Sequence, residues 1–210
     1  IEGTGSAQVQ HVEITATRGI GIGADGLALL TLDDVVLTGP VTSSNASGIP
    51  SDVGPTDSAT HGIVISDVTD ATFTDVTARG FASFGALVVQ STLTWTGGDL
   101  GGNLGTGLMV HAGTASLTEL TICGTLQGMR LIPAYGAVFV AGADVQTSAV
   151  EICDGDGYGM LHDGSDASHV DLYAHGNGDA AVWVQRCPTF SLTGAGSRLG
   201  VASAGLRQRL

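Results

Sequence analysis

The segment 107–124, GLMVHAGTASLTELTICG, decides the fold. A glycine opens it, and a short apolar strand follows. A polar turn leads to a second strand that alternates Leu120 and Ile122, and a glycine closes the unit. Strands of four or five residues cannot bury a face by themselves, so the unit needs copies of itself as neighbours. Working outward, the same grammar recurs at 85–102 (GALVVQSTLTWTGGDLGG) and 62–80 (GIVISDVTDATFTDVTARG). It recurs again at 136–155 (GAVFVAGADVQTSAVEICDG), 159–176 (GMLHDGSDASHVDLYAHG) and 180–196 (AAVWVQRCPTFSLTGAG). A weaker copy, GLALLTLDDVVLTG, opens at Gly26. Gly62 to Gly85 is 23 residues, Gly85 to Gly107 is 22, and Gly136 to Gly159 is 23. A β-sandwich would also show short strands and turns, but it has no reason to keep one grammar at near-constant length.

The repeat predicts an all-β fold, a single-stranded right-handed parallel β-helix with coils of about 22 residues. Residues 1–210 form one such domain. Stacking the coils at strand spacing of ~4.8 Å buries a continuous core. The first and third residues after each glycine face inward, as with Ile63 and Ile65, Leu108 and Val110, and Met129 and Leu131. Two segments break the period. Residues 40–60 are rich in Pro, Ser and Gly and predict a loop insertion, either a binding loop or a tolerated surface loop. Residues 129–135 are a strand of an enlarged coil or a second excursion. The irregular tail 200–210 caps the stack or connects to further sequence.

The pattern Ile, five or six residues, Gly, apolar is carried by ICDGDGYGM (152–160) and ICGTLQGMRL (122–131). It resembles the repeats of right-handed parallel β-helix proteins, the pectin-lyase-like superfamily, over most of residues 9–200. Pectate lyases, polygalacturonases, epimerases, phage tailspikes and adhesins share that fold, so the resemblance implies architecture and leaves function open. It implies that a lyase would use Asp-bound calcium and an Arg or Lys base, and a hydrolase closely set Asp carboxylates with a nearby His. The hydrolase motifs are absent. Asp33–Asp34 stands in the weak first unit and reads as a solvated turn.

The net charge is −13 and all seven basic residues are Arg, which excludes a nucleic-acid partner that would need clustered cations. No apolar stretch reaches the ~20 residues of a membrane span. Cys123 and Cys153 occupy the same place in two units, which leaves a disulfide or a reduced pair. Exported proteins favour the disulfide, and a secreted or cell-surface location is expected. Cys187 has no obvious mate. The six histidines fall in different coils without an HxH or HExxH spacing, and each reads as a surface or corner residue rather than a transition-metal ligand.

Residues 154–179 are the richest polar region. Asp154, Asp156, Asn177 and Asp179 fall in stacking turns and could supply oxygen ligands to calcium, so the cofactor is none or calcium. Asp156, His175 and Asp179 are the candidates for acid–base work, with Arg130 and Arg186 as bases or carboxylate binders. Corners also simply need Asp, Asn and Gly. Trp95 and Trp183 are the only tryptophans available as sugar platforms.

The second residue after each glycine faces out, yet Val64, Leu87, Met109, Val138 and Leu161 are apolar. The loop or tail covers this outer strip, a partner covers it, or the register is shifted by one. Thr72 and Thr74 lie 10 and 12 residues after Gly62, while Thr92–Thr96 lie 7 to 11 after Gly85, so any outward Thr ladder is expected to be irregular. The leading expectation is an exported, non-catalytic β-helix scaffold or adhesin-like surface protein that binds glycan or a protein partner through the apolar strip. The alternative is a polysaccharide lyase, hydrolase or epimerase acting on an acidic glycan, with calcium bridging the charge.

Overall fold

The computed structural model describes residues 1–15, 19–40, 60–127 and 134–200, and the backbone of 201 and 206–209. Most of the 40–60 insertion, Met129, Arg130 and Leu131 therefore lie outside the described residues. Every strand pairing among the described residues is parallel, and the strands collect into two sheets. One sheet has eight strands: Ile20–Asp25, His61–Ser66, Phe84–Val89, Thr106–His111, Tyr135–Val140, Tyr158–Asp163, Ala180–Gln185 and Leu206–Arg209. The other has twelve, beginning with Ser6–Thr15, Leu29–Thr38, Asp70–Arg79 and Thr92–Asp99. Each coil contributes to both sheets in turn, which is a parallel β-helix. Through most of the stack, neighbours in adjacent coils stand 22 or 23 residues apart; the coil between the paired cysteines widens to 30, and Leu30 pairs with Ala71 across the 40–60 insertion.

Left-handed backbone positions turn the chain. Asp34, Asp75, Glu119 and Asp171, all with φ between 51° and 55°, bend the second-sheet strand in four of the coils, and Gly97 and Ala149 take the same place in the coils between them. Later in the chain the bend divides that strand, as in Thr114–Thr118 and Thr121–Cys123. Short polar side chains tolerate this conformation best. The glycine that opens each unit has a different reason. A Cβ on Gly136 would lie 2.4 Å from Ile152 Cγ2 and 2.5 Å from the Gly159 carbonyl, so the coils stack too closely for a side chain there. Gly21 holds this position in its coil, facing the Gly62 carbonyl. Gly26 stands at the following corner instead (φ 68°), which corrects the phase expected for the first unit.

The core runs the length of the stack and is largely apolar. Each sheet lines the interior with several inward columns, of which one from each sheet is followed below. Register aligns Ala24, Ile65, Val88, Val110, Phe139, His162 and Val184 on one side. Leu32, Phe73, Trp95, Leu117, Thr147, His169 and Leu192 align on the other. Trp95 is 0% exposed and packs edge-on against Phe73 with centroids 5.1 Å apart. It is a core residue, which corrects its expected use as a sugar platform. His162 and His169 are also 0% exposed, which corrects the expectation that every histidine sits at the surface or a corner.

Candidate binding face

The outer surface of the eight-stranded sheet carries the apolar strip, and the strands fix its register. Ile63, Ile65, Leu108 and Val110 are 0% exposed, so the intervening residues point outward. Val64 pairs with Leu87, Leu87 with Met109, Met109 with Val138, Val138 with Leu161, and Leu161 with Trp183. The result is an unbroken apolar ladder along the helix axis, with half-buried rungs except for Val138, which is 7% exposed. The rung that follows Met109 is Val138, because the wide coil places Tyr135–Val140 there.

An aromatic column borders the ladder. His61 stacks on Phe84 at 5.3 Å, and Tyr135 stacks on Tyr158 at 5.5 Å with planes 15° apart. Tyr158 in turn meets Trp183 at 4.7 Å. All five rings are half-buried. Burial lowers the pKa of His61, so the ring is neutral at physiological pH. Burial also raises the pKa of the Tyr135 hydroxyl, with Tyr158 and Asp179 adding to the effect. Trp183 thus lies half-buried on the outer face, while Tyr135 and Tyr158 were not singled out from sequence. Their signal was the residue immediately before the repeating glycine, a position left unread.

A mixed column flanks the ladder on its other side, where Val89 pairs with His111, His111 with Val140, Val140 with Asp163 and Asp163 with Gln185. A hollow of about 470 Å³ lies there, lined by His111, Val140, Ala141, Asp163, Gly164 and Arg186. Arg186 grips Asp163 through Nε and a terminal nitrogen, the Nε contact at 2.6 Å. That hydrogen-bonded pair raises the Arg186 pKa and lowers that of Asp163. Catalysis by Arg186 as a base would require the opposite. Aromatic rings beside hydrogen-bonding groups suit a ligand with both C–H and hydroxyl faces.

The acidic turns carry different geometry. Asn177 is 1% exposed, and its amide is spent on backbone: Oδ1 accepts from Gly155 N, and Nδ2 donates to the carbonyls of Ile152 and His175. It closes a corner, as Asn103 does through Phe81 N and the carbonyls of Ala78 and Leu100. That use corrects its expected role as a calcium ligand. Asp156 accepts from Gln127 N at 2.9 Å. Asp154 is exposed at φ 54° and lines a hollow of about 420 Å³ with Arg79, Asp99 and Cys123. Asp179 is exposed. His175 Nε2 lies 3.1 Å from Glu151 Oε1. These two approach Cys153 closely enough to suggest a metal set, but the Cys153 sulfur is bonded to Cys123, with Cα atoms 4.4 Å apart, and offers no thiolate.

No protein-family model matches the sequence, and no curated protein matches it. Among solved structures, the chain is similar to the periplasmic alginate epimerase AlgG in a double-mutant form. The TM-score is 0.55 at 9% sequence identity, covering 92% of this chain and 54% of the epimerase. This chain thus spans about half the length of that enzyme. The likeness defines the class as parallel β-helix proteins. It carries the fold alone, because identity is too low to transfer a site.

Proposed function

We propose that the chain is a non-catalytic, exported β-helix scaffold, adhesin-like in character, whose eight-stranded face binds a carbohydrate chain laid along the helix axis. The carrying observation is the in-register ladder Val64–Leu87–Met109–Val138–Leu161–Trp183, edged by the Tyr135–Tyr158–Trp183 rings. Sugar C–H faces stack on such rings, while His111, Gln185 and the Arg186–Asp163 pair offer hydrogen bonds. A net charge of −13 repels polyanions, so neutral glycans are the preferred ligands. The Cys123–Cys153 bond supports an oxidising compartment. Among the described residues, no helix is long and apolar enough to cross a membrane.

The similarity to an alginate epimerase favours one second reading, an enzyme of acidic glycans in which calcium offsets charge repulsion. Calorimetric titration with neutral and uronate oligosaccharides, each with calcium and with chelator, separates the two when the sugars are recovered for analysis. The scaffold reading expects neutral oligosaccharides to bind and to return unchanged. Shortened, unsaturated or epimerised uronate products would establish the enzyme instead, and no binding by any oligosaccharide would defeat the glycan reading.

A further inference from the structure

One coil departs furthest from the apolar filling of the interior among the described residues. At the paired interior positions that hold Val88 with Trp95 and Val110 with Leu117, this coil holds His162 and His169. The two rings come from opposite sheets and meet across the core, with Nε2 atoms 3.0 Å apart. Met160, two residues before His162 and also 0% exposed, places its Sδ 3.0 Å from His162 Nε2. Each ring's other nitrogen has a hydroxyl partner: His162 Nδ1 with Ser165 Oγ at 2.9 Å, and His169 Nδ1 with Thr147 Oγ1 at 2.8 Å. Phe139 stacks on His162 at 4.8 Å, and Phe190 contacts both imidazoles.

We infer that His162 Nε2, His169 Nε2 and Met160 Sδ form a buried site for a soft monovalent cation, copper(I). Two imidazoles and a thioether are the donor set that favours Cu(I) over harder ions. All three donors are neutral, and the site is sealed by aromatic rings, so a single positive charge is far less costly to bury than a double one. Proton balance is simple. Without metal, one Nε2 carries the proton shared along the Nε2–Nε2 contact. With metal, both rings become Nδ1–H tautomers that donate to Ser165 and Thr147, and both Nε2 lone pairs turn to the cation with no proton released. Metal–imidazole bonds of about 2.0 Å place the nitrogens roughly 3.5 Å apart, so the rings separate by about half an ångström. Burial already holds both imidazoles neutral, with His162 pushed down to about 3 and His169 to about 4. No HxH spacing marks this site because its histidines belong to different sheets.

The test is anaerobic Cu(I) titration against a chromophoric chelator, run in a Cys187→Ser background. Cys187 is a free thiol whose Sγ lies 3.8 Å from Ser165 Oγ, and it must be removed as a competitor. One equivalent of Cu(I) is expected to bind, and Met160→Leu, a size-conserving core change, is expected to weaken it at least tenfold. X-ray absorption of the Cu(I)-loaded, Cys187→Ser protein reads the ligands without altering the core and should show two nitrogens and one sulfur. Loss of binding in the Cys187→Ser protein itself, an affinity unchanged by Met160→Leu in a folded variant, or a first shell without sulfur would each overturn the assignment.

Discussion

The outward faces of the two sheets differ in everything except backbone. On the twelve-stranded sheet, two adjacent outward columns read Thr31, Thr72, Thr94, Ser116, Gln146, Ser168 and Asp33, Thr74, Thr96, Thr118, Ser148, Val170. They are exposed or half-exposed and almost wholly small and polar. On the eight-stranded sheet, the matching outward column is apolar from Val64 through Trp183. Both sheets are parallel, share the coil repeat and bury apolar residues on their inner sides. The β-helix therefore does not demand an apolar exterior, since it does without one on the larger sheet. Thr on a solvated strand is a low-cost choice with good β propensity. A continuous apolar exterior has no such default explanation, and the proposed binding face rests on it.

The sharpest contrast lies between the two tryptophans. Trp95→Ala empties a fully enclosed core site and should cost about 3–5 kcal/mol. Trp183→Ala removes a ring from the outer face and should cost well under half as much while abolishing ligand binding. Denaturant unfolding of both variants checks the pair, and equal losses would mean that the outer face is packed like a core. Next in size is the disulfide. Substituting Cys123 and Cys153 by Ser releases a loop of 30 residues, for which chain entropy gives about 3–4 kcal/mol. Thermal melts under oxidising and reducing conditions read it.

Acid should act on the interior rather than on either face. His162 and His169 titrate in the unfolded chain near 6.5 but are held to about 3 and about 4 when folded. The unfolded state then binds more protons between these limits, so stability is full above pH 6.5 and falls as pH drops toward 4. Melting curves from pH 7.5 to 4 should show that decline, and a His162→Phe, His169→Leu double variant should flatten it. The smallest effect belongs to the polar face. Thr94→Val and Ser116→Ala should each change stability by less than about 0.5 kcal/mol and leave ligand affinity alone. A loss of binding from either would move the functional surface to the other side of the molecule.

The repeating glycine and the alternation around it were enough to read the coil and the inward set, because both follow from local sterics and a period of two. Leu108, Val110, Ile122 and Ile152 face the core as that rule requires. The same rule placed Met160 and His162 inward, since they are the first and third residues after Gly159, but residue type alone had assigned His162 to the surface. The Thr columns were misread for another reason. Alignment depends on turn length, not on distance from the glycine. Asp67, Val68 and Thr69 lie between Ser66 and Asp70, where only Gln90 and Ser91 lie between Val89 and Thr92. Ser91 Oγ accepts from Val68 N, and Thr72 then sits level with Thr94. For Trp95 the alternation with Thr94 and Thr96 points inward, but residue type alone had assigned it to the surface, as with His162. The aromatic column needed pairing between distant coils, such as Tyr135 with Tyr158, that no single unit displays.

The most direct test of the binding face uses Trp183 as its own reporter. In a Trp95→Phe protein, Trp183 is the only tryptophan, so its fluorescence reports the outer face alone. Titration with neutral oligosaccharides should give a saturable shift that disappears in a Tyr158→Ala, Leu161→Asp variant and survives Thr94→Val. Oligosaccharide binding that leaves Trp183 fluorescence unmoved, or that persists after those two outer-face substitutions, would contradict the account.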